Sequence, residues 1–254
     1  MHIVAVQLDP VWEDRAANHR RVSELLAATS VPAGALVVLP EMFDTGFSMN
    51  VDATRQPPSL PSDQFLKQIA SQYDAAVLAG VVGQGTEPYR ASNEAVAYDG
   101  HGTELVRYRK MQPFSLSGEG ERYGRGEAHV VFTWKDVVIS PFICYDLRFP
   151  ELFRPAARDG AELFVVIACW PEARAEHWVR LLQARAIENQ AFVVGVNRCG
   201  TDPTLKYVGR SVAFSPMGEC LFETDHSEQV VQIDIDPQEV RRWRAKFPAL
   251  RDMR

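Results

Sequence analysis

Short apolar runs of strand length alternate with helical patterns along most of this 254-residue chain, and that alternation admits few folds. Residues 3–8 read as a strand, 18–28 as a helix with Val22, Leu25 and Leu26 on one side, and 36–39 as a second strand. Residues 63–73 carry Phe65, Leu66, Ile69, Ala70 and Tyr73 at helical spacing before 76–82 return to strand. The order β-α-β-α-β is that of a layered α/β domain. The second half repeats the grammar. A helix over 151–159 buries Leu152, Phe153, Ala156 and Ala157, and strand 163–168 follows. A longer helix over 175–189 sets Trp178, Leu181, Leu182 and Ala186 on one face before strand 192–196. Strands near 211–214, 220–223 and 230–235 come next. Asp236, Pro237 and Glu239 then supply an N-cap, a first-turn proline and a box-like glutamate for a last helix, with Val240, Trp243 and Phe247 as its buried stripe.

Between the halves the pattern is antiparallel. Residues 94–98 meet 103–108 across 99–102, and 129–133 meet 137–143 across 134–136. The intervening 112–126, rich in glycine and charge, reads as a loop over strand ends, where functional loops collect. Strands apolar on both faces need cover on both sides. Periodicity alone fits either two facing sheets or one doubly wound sheet. No linker or low-complexity segment divides the chain, so one domain over 1–254 is expected.

A net charge of -6 and a pI near 5.6 oppose binding to duplex nucleic acid, which needs basic surface to meet phosphates. The basic run 241–246 reads as a solvated helix face. The N-terminus shows no basic segment followed by a long apolar stretch, and no run approaches the roughly 18 residues that span a bilayer. A soluble, unexported, cytoplasmic protein is expected, with no membrane partner. The four cysteines, 144, 169, 199 and 220, form no close pair and suit reduced thiols; Cys169 and Cys199 read as small buried fillers, and Cys220 as a strand residue after a hairpin. The six histidines make no metal-ligand spacing, and the glycines of 118–124 do not open a helix after a strand. Neither metal nor cofactor is expected.

Three polar residues stand where apolar strands run out. Residues 35–41 end in Glu41, 105–110 in Lys110 and 137–144 in Cys144. A thiol held beside a base and a cation can become an activated nucleophile, which would make an acyl-transfer site without histidine. Taken singly, each has a plain alternative: a core cysteine, a strand-end glutamate in water, a surface lysine in the run Arg107-Tyr-Arg-Lys110.

Together they carry a resemblance. Leu39-Pro-Glu41-Met-Phe43, Tyr108-Arg-Lys110-Met111 and Ile143-Cys-Tyr-Asp-Leu-Arg-Phe-Pro-Glu151 resemble, in order, the three signature segments of the nitrilase superfamily of carbon–nitrogen hydrolases. The resemblance covers nearly the whole chain. Its cysteine segment is most similar to the omega-amidase branch, which hydrolyses the side-chain amide of 2-oxo acids. The fold implied is a four-layer α-β-β-α sandwich of two mixed β-sheets with outer helices. The roles implied are Cys144 as nucleophile, Glu41 as general base, and Lys110 with the backbone N–H of Tyr145 as oxyanion donors. A second glutamate in the loop, Glu119 in preference to Glu121, would position substrate and lysine. A homodimer formed around the post-cysteine helix is also implied, with Leu152, Phe153 and Trp178 as its apolar face.

The expectation is therefore a cysteine amidase that releases ammonia from a small carboxylated amide, 2-oxoglutaramate or 2-oxosuccinamate, through a thioester. Phe43, Phe114 and Trp170 are candidate pocket walls, and Arg198 is the candidate for a substrate carboxylate. An N-carbamoyl amino-acid amidohydrolase is the close alternative. Nitrile hydrolysis fits less well, because nitrilases usually carry Trp-Glu where this chain has Tyr145-Asp146. A non-catalytic scaffold has no need of all three polar residues, and a thiol redox role lacks a resolving cysteine nearby in sequence.

Overall fold

A computed structural model describes residues 1–253. In chain order the first half comprises β1 (His2–Gln7), α1 (Arg15–Ala27), β2 (Leu36–Val38), α2 (Val51–Thr54), α3 (Pro61–Tyr73), β3 (Ala76–Gln84), β4 (Ala91–Tyr98), β5 (Glu104–Arg109), α4 (Glu119–Arg122) and β6 (Tyr123–Gly124). The second comprises β7 (Phe132–Trp134), β8 (Val137–Ile143), α5 (Pro150–Arg158), β9 (Leu163–Ala168), α6 (Ala175–Asn189), β10 (Phe192–Asn197), β11 (Cys199–Thr201), β12 (Lys206–Val208), β13 (Val212–Phe214), β14 (Cys220–Glu223), β15 (Gln229–Asp234) and α7 (Pro237–Lys246).

One sheet runs β15-β1-β2-β3-β4-β5, with β6 also paired to β4; the other runs β14-β13-β10-β9-β8-β7, and β11 and β12 form a separate hairpin. Both sheets are mixed. The strands β1, β2 and β3 are parallel, as are β8, β9 and β10, and antiparallel strands flank each set. Side chains alternate along each strand, so Ile3, Ala5, Leu36 and Val38 join the cluster between the sheets. Their neighbours Val4, Val6 and Val37 pack outward against Val22 and Leu26 of α1 and Leu66 and Ile69 of α3. On the far side, Phe153 of α5 and Trp178 and Leu182 of α6 cover the second sheet. Helices, sheet, sheet and helices make the four-layer sandwich.

Local chemistry sets the element ends. The Asp14 carboxylate accepts from Ala17 N at 2.9 Å to cap α1, and Asp236 accepts from Gln238 N at 3.0 Å to start α7. Helix α6 spans the residues its periodicity predicts. Other features differ. Strand β7 begins at Phe132 instead of 129, and the His129 ring pairs with Asp159 at 2.7 Å. The segment 112–126 is more ordered than a loop and holds α4 and β6. Phe247 lies past the end of α7 and is exposed, so the helix buries only Val240 fully among its predicted stripe. The basic run of α7 is partly pinned as well: Arg241 binds Glu162, and Arg244 donates to the Ala161 and Gln190 carbonyls. Among the described residues no helix is long and apolar enough to cross a membrane.

Two of the three residues of the expected apolar dimer face are not available on the surface. Phe153 and Trp178 are fully buried in this chain's own core, and Leu152 is only partly so. The Phe153 ring stacks on Phe142 with centroids 4.0 Å apart and meets Phe164 edge-on at 5.4 Å. Phe153→Ala should therefore destabilise the single chain by about 3–5 kcal/mol through the cavity it leaves. Urea unfolding would read this, and an unchanged midpoint would mean the ring contributes nothing inside the protomer.

Candidate active site

The sandwich brings the strand ends after β2, β5, β8 and β9 to one place. Glu41 reaches it because Gly80 of β3 has no side chain: a Cβ there would stand 2.5 Å from Glu41 Cα. Lys110 follows β5, where its backbone N–H donates to the Asn93 carbonyl of β4 at 2.9 Å. Cys144 leaves β8 with φ of 46°, a left-handed conformation unusual for a non-glycine residue, and opens the 3₁₀ turn Cys144–Arg148. Buried Asp146 ties that turn down. It accepts from Ile143 N at 2.9 Å, Tyr108 Oη at 2.7 Å and Gln112 N at 2.8 Å, while burial pushes its carboxyl up to about 6.

Glu41, Lys110 and Glu119 are all buried and directly bonded. Lys110 Nζ donates to Glu41 Oε1 at 2.8 Å and to Glu119 Oε1 and Oε2 at 3.1 and 2.9 Å, so its three N–H groups are all committed to carboxylates. Neutral donors complete the shell. Asn93 Nδ2 reaches Glu41 Oε1 at 2.7 Å and Glu119 Oε1 at 2.8 Å. The Cys169 N–H reaches Glu41 Oε2 at 2.8 Å, and the Phe114 N–H reaches Glu119 Oε2 at 2.6 Å. Exposed Glu121 takes no part, and of the two loop glutamates it is Glu119 that the fold brings to Lys110.

Burial works against the Lys110 charge, yet Glu119 and Glu41 outweigh it and hold the ammonium well above its ordinary range. The Cys144 thiol goes the other way from a thiolate. Burial and the Glu41 carboxylate push it well above the ordinary thiol range, with Lys110 opposing. One cation between two carboxylates leaves no surplus positive charge for a resting thiolate, so the thiol needs a base at the moment it attacks.

A pocket lies over Cys144, walled by Phe47, Phe114, Tyr145, Trp170 and Tyr207, with Arg148 and Arg174 at its side. Trp170 is set by Asn197, whose side chain accepts from Trp170 N at 2.7 Å and donates to its carbonyl at 3.0 Å. Of the expected walls, Phe114 and Trp170 are present and Phe43 is not: it is buried on the outer face of the first sheet, stacked with His19 and Phe65. Arg198 is also displaced. Its fully buried guanidinium turns away to Asp9 and the Thr201 carbonyl and lies 4.3 Å behind the Tyr207 ring, which it supports. The arginines that do face the pocket stood unremarked in the sequence. Arg148 sits inside the cysteine segment itself, four residues past Cys144, and Arg174 precedes α6. Neither has an acidic partner among the described residues. Arg148 lies 4.7 Å over Trp170 and Arg174 lies 5.4 Å over Phe114, while burial and Arg174 together hold Arg148 below its ordinary range. Cys169, expected as an inert filler, lines the same pocket as Cys144.

Residues 3–245 match the profile of the carbon–nitrogen hydrolase family. The chain is 36% identical over 255 residues to omega-amidase YafV of Yersinia enterocolitica, covering 99% of this chain and 96% of that protein. It is 32% identical to the 2-oxoglutaramate amidase of Bacillus subtilis, over 99% and 97% of the two chains. Among solved structures, a CN-hydrolase superfamily protein of Xanthomonas campestris, with an arsenic adduct in its active site, superposes with a TM-score of 0.92 at 34% identity, over 100% of this chain and 97% of that one.

Proposed function

This chain belongs to the carbon–nitrogen hydrolase family and is an amidohydrolase of the nitrilase superfamily, and from that premise we propose that it is an omega-amidase acting on 2-oxoglutaramate or 2-oxosuccinamate. The observation that carries the substrate class is the pair Arg148 and Arg174, two guanidinium groups without acidic partners beside an apolar pocket that ends on a thiol. Arginine recognises a planar carboxylate through paired, charge-assisted hydrogen bonds. A substrate carboxylate at the arginines would leave the amide at the far end of a short chain to meet Cys144. Relatives named for omega-amidase and 2-oxoglutaramate amidase activity support the same reading.

In the proposed reaction Glu41 takes the Cys144 proton as sulfur attacks the amide carbon. The tetrahedral oxyanion is held by Lys110 Nζ and the Tyr145 N–H at the start of the 3₁₀ turn. Since all three Lys110 protons are engaged at rest, one turns from Glu119 to the oxyanion, and Glu119 keeps the amine in place through the other. Glu41 returns its proton to the departing nitrogen and ammonia leaves a thioester. Water, deprotonated by Glu41, then releases the acid and restores the thiol.

Steady-state assays of 2-oxoglutaramate, butyramide, N-carbamoyl amino acids and simple nitriles test the assignment. Arg148→Leu should lower kcat/KM for 2-oxoglutaramate by about 10- to 100-fold, the value of a lost charge-assisted contact, and leave butyramide hydrolysis near its wild-type rate. Equal losses on both substrates would make Arg148 part of the wall and remove the case for carboxylate recognition.

A further inference from the structure

We infer that Asn93 is the positioning residue of this site, holding Glu41 and Glu119 at one distance from Lys110 and keeping both able to act as carboxylates. This rests on the proposed role of Glu41 as base. The side chain is 1% exposed, and its single amide nitrogen bridges Glu41 Oε1 at 2.7 Å and Glu119 Oε1 at 2.8 Å. The same two oxygens also accept from Lys110 Nζ. Asn93 Nδ2 and Lys110 Nζ therefore face each other across a pair of carboxylate oxygens and close a four-membered ring of donors and acceptors. The backbone of Asn93 completes the grip, because its carbonyl accepts from the Lys110 N–H. One residue of β4 thus touches all three members of the charged cluster.

The orientation of the amide is fixed by chemistry. Turned over, it would present Oδ1 to two carboxylate oxygens, acceptor against acceptor, so the NH₂ must face them. The cost of that choice is visible: Asn93 Oδ1 is buried without a hydrogen-bond partner. A buried polar atom left unsatisfied is unfavourable, and it persists here because the two bonds on the nitrogen outweigh it. Glu41 and Glu119 carry two negative charges against one on Lys110, and the neutral donors must stabilise the remainder. Two of those donors are backbone N–H groups. Asn93 is the side chain among them, and it alone reaches both carboxylates.

A hydrogen bond to the ionised form favours that form, so removing the donor should make Glu41 hold a proton more tightly and reduce its availability as a base on the acid side. Asn93→Ala should lower kcat for 2-oxoglutaramate by about 10- to 100-fold with KM changed little, and the acid limb of the kcat–pH profile should move to higher pH. Asn93→Asp keeps the shape of the side chain and replaces the shared donor by a third carboxyl, so it should lose activity at neutral pH and recover part of it as pH falls and the new carboxyl regains a proton to donate. Glu41→Gln run in parallel separates the two ideas. If that variant turns over normally, the base assignment fails. If Glu41→Gln is inactive while folded Asn93→Ala keeps the wild-type kcat and an unmoved acid limb, Asn93 is only a core residue and the inference is overturned. Should Asn93→Ala not fold, Asn93→Asp decides: a wild-type profile would overturn the inference, and activity that rises toward acid pH would support it.

Discussion

Cys144→Ala should lower kcat by about 10,000-fold or more on any amide, with a melting temperature close to that of the wild type. The side chain is small and sits at the pocket floor, and alanine meets the left-handed turn at φ of 46° with no greater strain than cysteine. Cys144→Ser should fail as well, since a hydroxyl is harder to deprotonate than the thiol it replaces. The protonation state of the thiol gives a second readout. Burial and the Glu41 charge disfavour the thiolate and push the thiol upward, so the thiolate fraction grows only above the ordinary thiol range. Alkylation of Cys144 by iodoacetamide should keep accelerating through roughly pH 9 instead of levelling off near neutrality. Peptide mapping is needed to assign the label, because Cys220 is exposed and will react as background. Substantial turnover by the alanine variant would end the cysteine route, and a neutral-pH plateau would mean that a thiolate pairs with Lys110 after all.

The charged centre was legible because three separated segments, each ending an apolar run in a polar residue, together resemble the signatures of one family. Glu41, Lys110 and Cys144 each follow a strand, and Glu119 came with the resemblance, in a segment read as a loop over strand ends. Asn93 gave no such signal. It lies just ahead of the strand expected over 94–98, whereas β4 begins at Ala91, and its importance comes from the cross-strand register that sets it beside Lys110, a long-range fact. Arg198 and Phe43 show the opposite error. Both follow strand ends, as Glu41, Lys110 and Cys144 do, but position along the chain does not fix direction: Arg198 turns to Asp9 and Phe43 to the outer helices. Alternation, which located the strands so well, sends neighbouring side chains to opposite faces. Cys169 is buried, as expected of a small filler, but its place beside the pocket was hidden for a related reason. No resolving thiol lies near Cys144 in sequence, yet β8 and β9 are adjacent and parallel, so residues 25 apart share one pocket. Helix boundaries fared better, because caps and periodicity are local.

Lys110→Met should do more than remove an oxyanion donor. Among the described residues the ammonium is the one cation bonded to Glu41 and Glu119, all three groups are buried, and its loss leaves two carboxylates facing each other with only Asn93 and two backbone N–H groups as donors. Breaking a buried ion pair from one side destabilises by roughly 3–5 kcal/mol, because the remaining charge has neither water nor partner. The expected result is a large fall in melting temperature together with a drop in kcat of about 100-fold or more, the scale of a lost oxyanion contact. The double variant Lys110→Met/Glu119→Gln distinguishes the two effects. It returns the cluster to a single net negative charge, as in the wild type, so much of the lost stability should come back. Turnover should not, since no ammonium is available to the oxyanion. Lys110→Arg is no conservative control, because the planar guanidinium fork cannot direct donors to three carboxylate oxygens and then to a fourth acceptor from the same point. Wild-type kinetics in Lys110→Met, or a double variant that regains activity with its stability, would show that the lysine only neutralises its neighbours and that the oxyanion is held by backbone alone.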